Sequence, residues 1–164
     1  MPFTPFHLGP ALAIGLPLRK RIHAPTFVIA NVILDIEPFL VIVLNLRYPL
    51  HGYLHTFIGA LVVGLLLGYT MYVMEGASRL LWRRLLLVPT DDFDLRAFLV
   101  AGASGTMLHV LLDSPLYRDI KPLYPLLINP MYNPKLTRLI YEACTLMAIA
   151  GLACYLGVIL RKAT

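Results

Sequence analysis

The chain has 164 residues, of which 59% are hydrophobic and only 14% charged, and it carries a net charge of +5. Soluble domains carry about 25% charged residues, so this composition cannot clothe a water-facing surface and excludes an ordinary soluble domain. The basic excess does not point to nucleic acid either, because Lys and Arg cluster briefly beside apolar segments, as membrane orientation signals do.

In chain order, five apolar stretches predict about five membrane helices, since about 20 residues cross a hydrocarbon core. The first, HLGPALAIGLPL (7–18), is short, carries Pro10 and Pro17, and reads as a span or a re-entrant segment. APTFVIANVILDIEPFLVIVLNL (24–46) is long enough to cross but contains Asp35 and Glu37, with Pro38 positioned to kink it and free a carbonyl near Leu34. LHTFIGALVVGLLLGYTMYVM (54–74) is the cleanest span. SRLLWRRLLLV (78–88), with Trp82 among basic residues, predicts a short helix along the interface. TDDFD (90–94) reads as an acidic cap for the next helix. That helix is LRAFLVAGASGTMLHVLLDSPLY (95–117), and LIYEACTLMAIAGLACYLGVIL (139–160) closes the chain. Ala60, Gly64 and Gly68, together with AGASG (101–105), predict close packing of the third and fourth spans.

The expected fold is therefore all-α: a polytopic transmembrane helix bundle forming one membrane-embedded domain over 1–164, with a short interfacial helix. No basic region precedes the first apolar stretch, so no secretory signal peptide is expected. Cys144 and Cys154 lie about 15 Å apart along one helix, too far for a disulfide, and read as packing residues. If all five segments span, nine Lys/Arg (Arg19, Lys20, Arg21, Arg79, Arg83, Arg84, Arg96, Arg161, Lys162) fall on one side and five (Arg47, Arg118, Lys121, Lys135, Arg138) on the other. That bias predicts a cell-membrane protein with its N-terminus outside and its C-terminus in the cytoplasm.

Up-and-down threading then places His7, Asp35, Glu37, His51, His55, His109 and Asp113 in the same half of the bilayer, the outer one in this orientation. The convergence survives inverting the whole topology, because every segment flips together. His51 and His55, like His109 and Asp113, are spaced i, i+4 and so share a helix face if helical. Imidazole and carboxylate are ordinary zinc ligands. Ionisable groups inside a span cost about 3 kcal/mol each on insertion scales, and a shared divalent cation would offset that cost. The alternative for each residue alone is structural: a hydrogen-bonded packing histidine, an interfacial pair at 51 and 55, a helix end at Asp113, a stabilised break at Asp35 and Glu37. His23 falls beside the opposite basic cluster and is expected at the interface.

At these positions the chain resembles the membrane-bound metal-dependent hydrolases, whose bacterial members include the LexA-regulated inner-membrane hydrolases. The resemblance rests on HLGPA (His7), DIE (Asp35, Glu37), HGYLH (His51, His55) and LHVLLDSPLY (His109, Asp113). That family is in turn similar to the helical zinc phospholipase C and P1 nuclease group. The resemblance implies metal-dependent hydrolysis, above all of a phosphoester. The chain departs from the bacterial pattern at Leu34, where a proline is usual, and in its close histidine spacing, so metal number and ligand assignment stay open.

The reading that follows is a membrane-embedded hydrolase using metal-activated water on an ester or phosphoester of a lipid-like substrate. Its metal ligands come from His7, Asp35, His51, His55, His109 and Asp113, holding roughly one to three divalent ions, zinc foremost. Glu37 is the candidate general base, with Asp35 also placed for catalysis. The proline-rich loop 114–138 reads as a lid or an interfacial surface loop, with Arg118 and Lys121 positioned to meet a phosphate. Expected partners are the bilayer and a lipid or phosphorylated substrate, with homo-oligomers open and no nucleic acid. The rival class is a non-enzymatic membrane protein, such as a transporter, ion relay or assembly subunit.

Overall fold

The computed structural model describes residues 5–89 and 93–163. Among them the chain is helical and forms no strand. The helices are α1 (Leu8–Gly15), α2 (Ala24–Ile33), α3 (Ile36–Val43), α4 (Phe57–Val73), α5 (Glu75–Arg84), α6 (Leu95–Asp113) and α7 (Thr137–Ala163), with single 3-10 turns at Pro5–His7, Tyr53–His55 and Pro134–Leu136.

Three segments are long and apolar enough to cross a membrane: Ala24–Val43, Leu95–Asp113 and Pro134–Lys162. A fourth is reached only if α4 and α5, bent by 88° at their junction, count as one. Five such helices, the number expected, are not reached among the described residues. The first segment forms only the 8-residue α1 before its chain turns at the Pro17 region, which at 1.5 Å per residue is far shorter than a hydrocarbon core. α5 leaves the axis of α4 crosswise.

Local chemistry sets these boundaries. The His23 side chain caps α2 by accepting from the Thr26 N–H, with Pro25 in the first turn. Thr56 caps α4 through Gly59 N–H at 2.9 Å, and Asp94 caps α6 through Ala97 N–H at 3.0 Å. The acidic cap expected before α6 is thus supplied by Asp94, while Thr90, Asp91 and Asp92 lie outside the described residues. Pro38 has no N–H to give, so the Leu34 carbonyl accepts from Glu37 N–H at 3.0 Å instead. The helix breaks there, and Asp35 takes the capping position of α3.

α4 packs on α6, α2 on α6 and on α1, and α1 on α7. Glycines permit the closest crossings. A Cβ at Gly102 would collide with the Gly64 carbonyl oxygen, and one at Gly68 would stand 2.6 Å from the Phe98 carbonyl oxygen. The Thr106 hydroxyl reaches across to donate to the Ala60 carbonyl at 2.7 Å. The small-residue stripes do bring α4 and α6 together. Gly9 does the same for α1, where a Cβ would strike the Cys144 carbonyl of α7. Both cysteines are free thiols.

The distribution of polarity is inverted relative to a soluble domain. Large apolar side chains such as Val43, Val73, Leu146 and Leu160 are exposed, while His7, His23, Asn31, Asp35, His55, His109 and Asp113 are buried. Only 11% of the most apolar stretch of α7 is covered. His23 is fully buried, and its ring stacks on Phe98 with centroids 4.1 Å apart.

Candidate metal centre

Asp35, His55, His109 and Asp113 are all buried, and each offers one ligand atom within 4.8 Å of the others. Three separate pieces of chain supply them. The break between α2 and α3 presents Asp35. The 3-10 turn before α4 presents His55. The last turn of α6 presents His109 and Asp113, whose i, i+4 spacing sets His109 Nε2 3.4 Å from Asp113 Oδ2.

Each ring is fixed from behind. His109 Nδ1–H donates to the Asn31 carbonyl at 2.7 Å, and His55 Nδ1–H donates to Glu37 Oε2 at 2.8 Å. A neutral imidazole that donates from Nδ1 keeps its lone pair on Nε2. Both Nε2 atoms are buried with no hydrogen-bond partner. That of His109 faces Asp35 Oδ1 at 3.7 Å as well as Asp113. Lone pairs of nitrogen and oxygen converging in a buried space repel one another unless a proton or a metal ion lies between them. A carbonyl or carboxylate behind a ligating imidazole is the usual support of a metal-binding histidine. Two imidazole nitrogens and two carboxylates therefore make a set that could hold a metal ion.

The other predicted residues surround this group. His7 Nε2 lies 3.1 Å from Asp113 Oδ1, and its ring stacks on His109 with centroids 4.0 Å apart. It stands against the four without joining them. Glu37 is behind His55 rather than among the ligands: Oε2 also accepts from Gly52 N–H at 2.9 Å, and Oε1 accepts from Leu54 N–H and the Tyr48 hydroxyl, each at 3.2 Å. Its two oxygens thus organise the whole 48–55 turn. His51 is not on a helix with His55, as the spacing had suggested; it lies in the loop ahead of the 3-10 turn. Its Nδ1 is 3.0 Å from Asp119 Oδ2, which also accepts from the His51 backbone N–H at 3.1 Å, and its ring meets His55 edge-on at 4.8 Å.

His51 opens onto a cavity of about 310 Å³ lined also by Tyr48, Asp119, Lys121, Tyr124 and Leu127. Lys121 is part of this wall, whereas Arg118 is exposed outside it. The 114–138 loop is tied down. Phe57 N–H donates to the Pro122 carbonyl at 2.9 Å, Asn133 N–H to the Pro115 carbonyl at 3.0 Å, and Asn129 Nδ2 to the Ser114 carbonyl at 2.8 Å.

Sequence reasoning missed two supports. Asp119 sits between the two cations it did single out, and burial that would raise its carboxyl is outweighed by the His51 ring, which holds it below the usual range. Asn31, a buried amide one helical turn before Asp35, was the available sign of a second polar position on α2. No family model, curated protein or solved structure matches the chain.

Proposed function

We propose that the chain is a membrane-embedded metal-dependent hydrolase that cleaves an ester or phosphoester of a lipid-like substrate. The observation that carries this reading is the pair of buried, unpartnered Nε2 atoms of His55 and His109 converging with Asp35 and Asp113. The resemblance of the four histidine and acidic segments to membrane-bound metal-dependent hydrolases supports the same reaction class. The Lys/Arg asymmetry supports a centre in the outer half of the cell membrane, with the C-terminus cytoplasmic.

When bound, a divalent ion supplies Lewis acidity, polarising a phosphoryl or carbonyl oxygen and acidifying a water. His55, His109 and Asp113 would hold it, and Asp35, within reach of the same ion, would complete the ligand set or accept a proton from water. Glu37 is a positioning residue, because both its oxygens are occupied by the turn that carries His55. His7 fixes one oxygen of Asp113 and leaves the other turned inward. Lys121, on the cavity wall, meets the anionic part of the substrate. The tyrosines and Leu127 of that wall accommodate an apolar portion.

Detergent-solubilised protein given bis(p-nitrophenyl) phosphate and a dispersed phospholipid tests the reaction. Turnover should vanish with a chelator, return with zinc, and be absent in a folded His109→Ala variant. Metal-loaded protein that hydrolyses neither ester contradicts the proposal. A proton relay is the second reading, favoured by His23, Thr26 and Asn31, fully buried in succession along α2; proton flux in vesicles without ester cleavage would select it.

A further inference from the structure

A second site lies at the other end of the molecule. Tyr141 and Cys144, near the start of α7, border His7 and Asp113, while Arg161 and Lys162 close the same helix. Twenty residues of helix separate Tyr141 from Arg161, about 30 Å at 1.5 Å each, which is one hydrocarbon thickness. There a groove of about 520 Å³ is lined by Arg19, Arg83, Arg161 and Lys162 over a floor of Leu86, Val88 and Val158.

The four cations come from three distant stretches: the turn after α1, the last turn of α5 and the end of α7. A strained turn joins those stretches. Leu86, just past the end of α5, has φ 58°, a left-handed conformation normally given to glycine. It is held there by Arg19, whose Nη1 donates to the Leu86 carbonyl at 2.6 Å. The Tyr155 hydroxyl of α7 donates to the neighbouring Leu85 carbonyl at 2.9 Å. Backbone strain retained by cross-links from two other segments marks a shape that the fold maintains. The shape it maintains gathers positive side chains around an apolar-floored cavity, flanked by the exposed Leu80, Leu81 and Leu160.

We infer that this groove binds the phosphate headgroup of an anionic phospholipid. Guanidinium forks match phosphate oxygens bidentately. The groove lies at headgroup depth when α7 spans the bilayer, and the exposed leucines beside it meet acyl chains. The inference rests on the membrane placement proposed above and not on the hydrolase chemistry; retention of the protein in carbonate-washed membranes tests that placement separately.

The experiment follows thermal unfolding of the detergent-solubilised full chain during titration with phosphatidylglycerol, phosphatidylcholine or inorganic phosphate. A ligand that binds the folded state raises the midpoint with concentration. Phosphatidylglycerol should raise it, and phosphatidylcholine and inorganic phosphate should not. Arg161→Gln/Lys162→Gln, at exposed positions in the last turn of α7, should need about thirtyfold more phosphatidylglycerol for the same rise, as each basic side chain near an anionic surface contributes about one fivefold factor. An Arg47→Gln control should behave as wild type. Equal shifts with phosphatidylcholine, an equal shift with inorganic phosphate alone, or an unchanged titration in the double variant would overturn the inference.

Discussion

Glu37→Gln separates a positioning carboxylate from a catalytic one. In the structure Oε2 receives His55 Nδ1–H at 2.8 Å and Gly52 N–H at 2.9 Å, while Oε1 receives Leu54 N–H at 3.2 Å. Glutamine retains one oxygen and places an NH2 group where the other was. The better solution keeps the oxygen toward His55 and Gly52 and turns the NH2 toward the Leu54 N–H, losing that bond and the charge behind the imidazole. Loss of such a support weakens metal affinity about 10- to 100-fold, or about 1.4 to 2.7 kcal/mol. Alanine would strand the buried His55 donor and three part-buried ones, at Tyr48, Gly52 and Leu54, the buried one alone costing about 1–3 kcal/mol of a total stability of about 5–15 kcal/mol, so glutamine is the informative change. Competition of zinc between the protein and a chelating dye measures the affinity, and turnover at saturating zinc measures the chemistry. The account expects weakened binding with most of the turnover recovered when the site is filled. Unchanged affinity with turnover abolished would refute it and return Glu37 to the role of general base.

Other consequences follow from the same geometry. Gly102→Ala places a methyl against the Gly64 carbonyl and should destabilise by about 1–3 kcal/mol through the α4–α6 crossing, with metal lost in parallel; Gly157→Ala, where nothing lies within 4 Å, should be neutral or stabilising by up to about 1 kcal/mol in thermal unfolding. Asp119→Asn removes the charge that orients His51 and should raise KM for an ester substrate more than it lowers kcat, with zinc affinity changed less than in Glu37→Gln. Burial, aided by Arg79, pushes His23 down to about 4, so the folded state resists protonation that the unfolded state accepts near 6.5. Its stabilising share is present above pH 6.5 and lost as pH falls toward 4; His23→Gln should therefore show a shallower fall of the unfolding midpoint across that window than wild type, and an identical slope would contradict the assignment.

What could be read in advance was whatever one helix determines by itself. His109 and Asp113 share a face because 3.6 residues make a turn, and the helical break at Asp35 follows from the missing N–H of Pro38. Threading brought Asp35, His55, His109 and Asp113 to one level without any knowledge of packing. Hidden from the sequence was whatever depends on contacts between distant segments. Asp119 reaches His51 across 68 positions, and no local pattern encodes that. His51 and His55 looked helical because their spacing is helical, yet Gly52 between them, at φ −98° and ψ −132°, is outside the helical region and the turn is built around Glu37. The 88° corner between α4 and α5 and the shortness of α1 are likewise tertiary outcomes, since apolar composition marks where a segment is compatible with lipid and not how far its helix runs. The burial of His23 likewise comes from packing on Phe98, a residue 75 positions away.

Elemental analysis of wild type beside Asp113→Asn, both purified in detergent without chelator, bears most directly on the buried cluster. Wild type should carry a stoichiometric divalent transition metal, and the variant, folded by its unfolding midpoint, should have lost it. Metal-free wild type, or a variant that retains the full content, would contradict the claim that these four side chains converge on a cation.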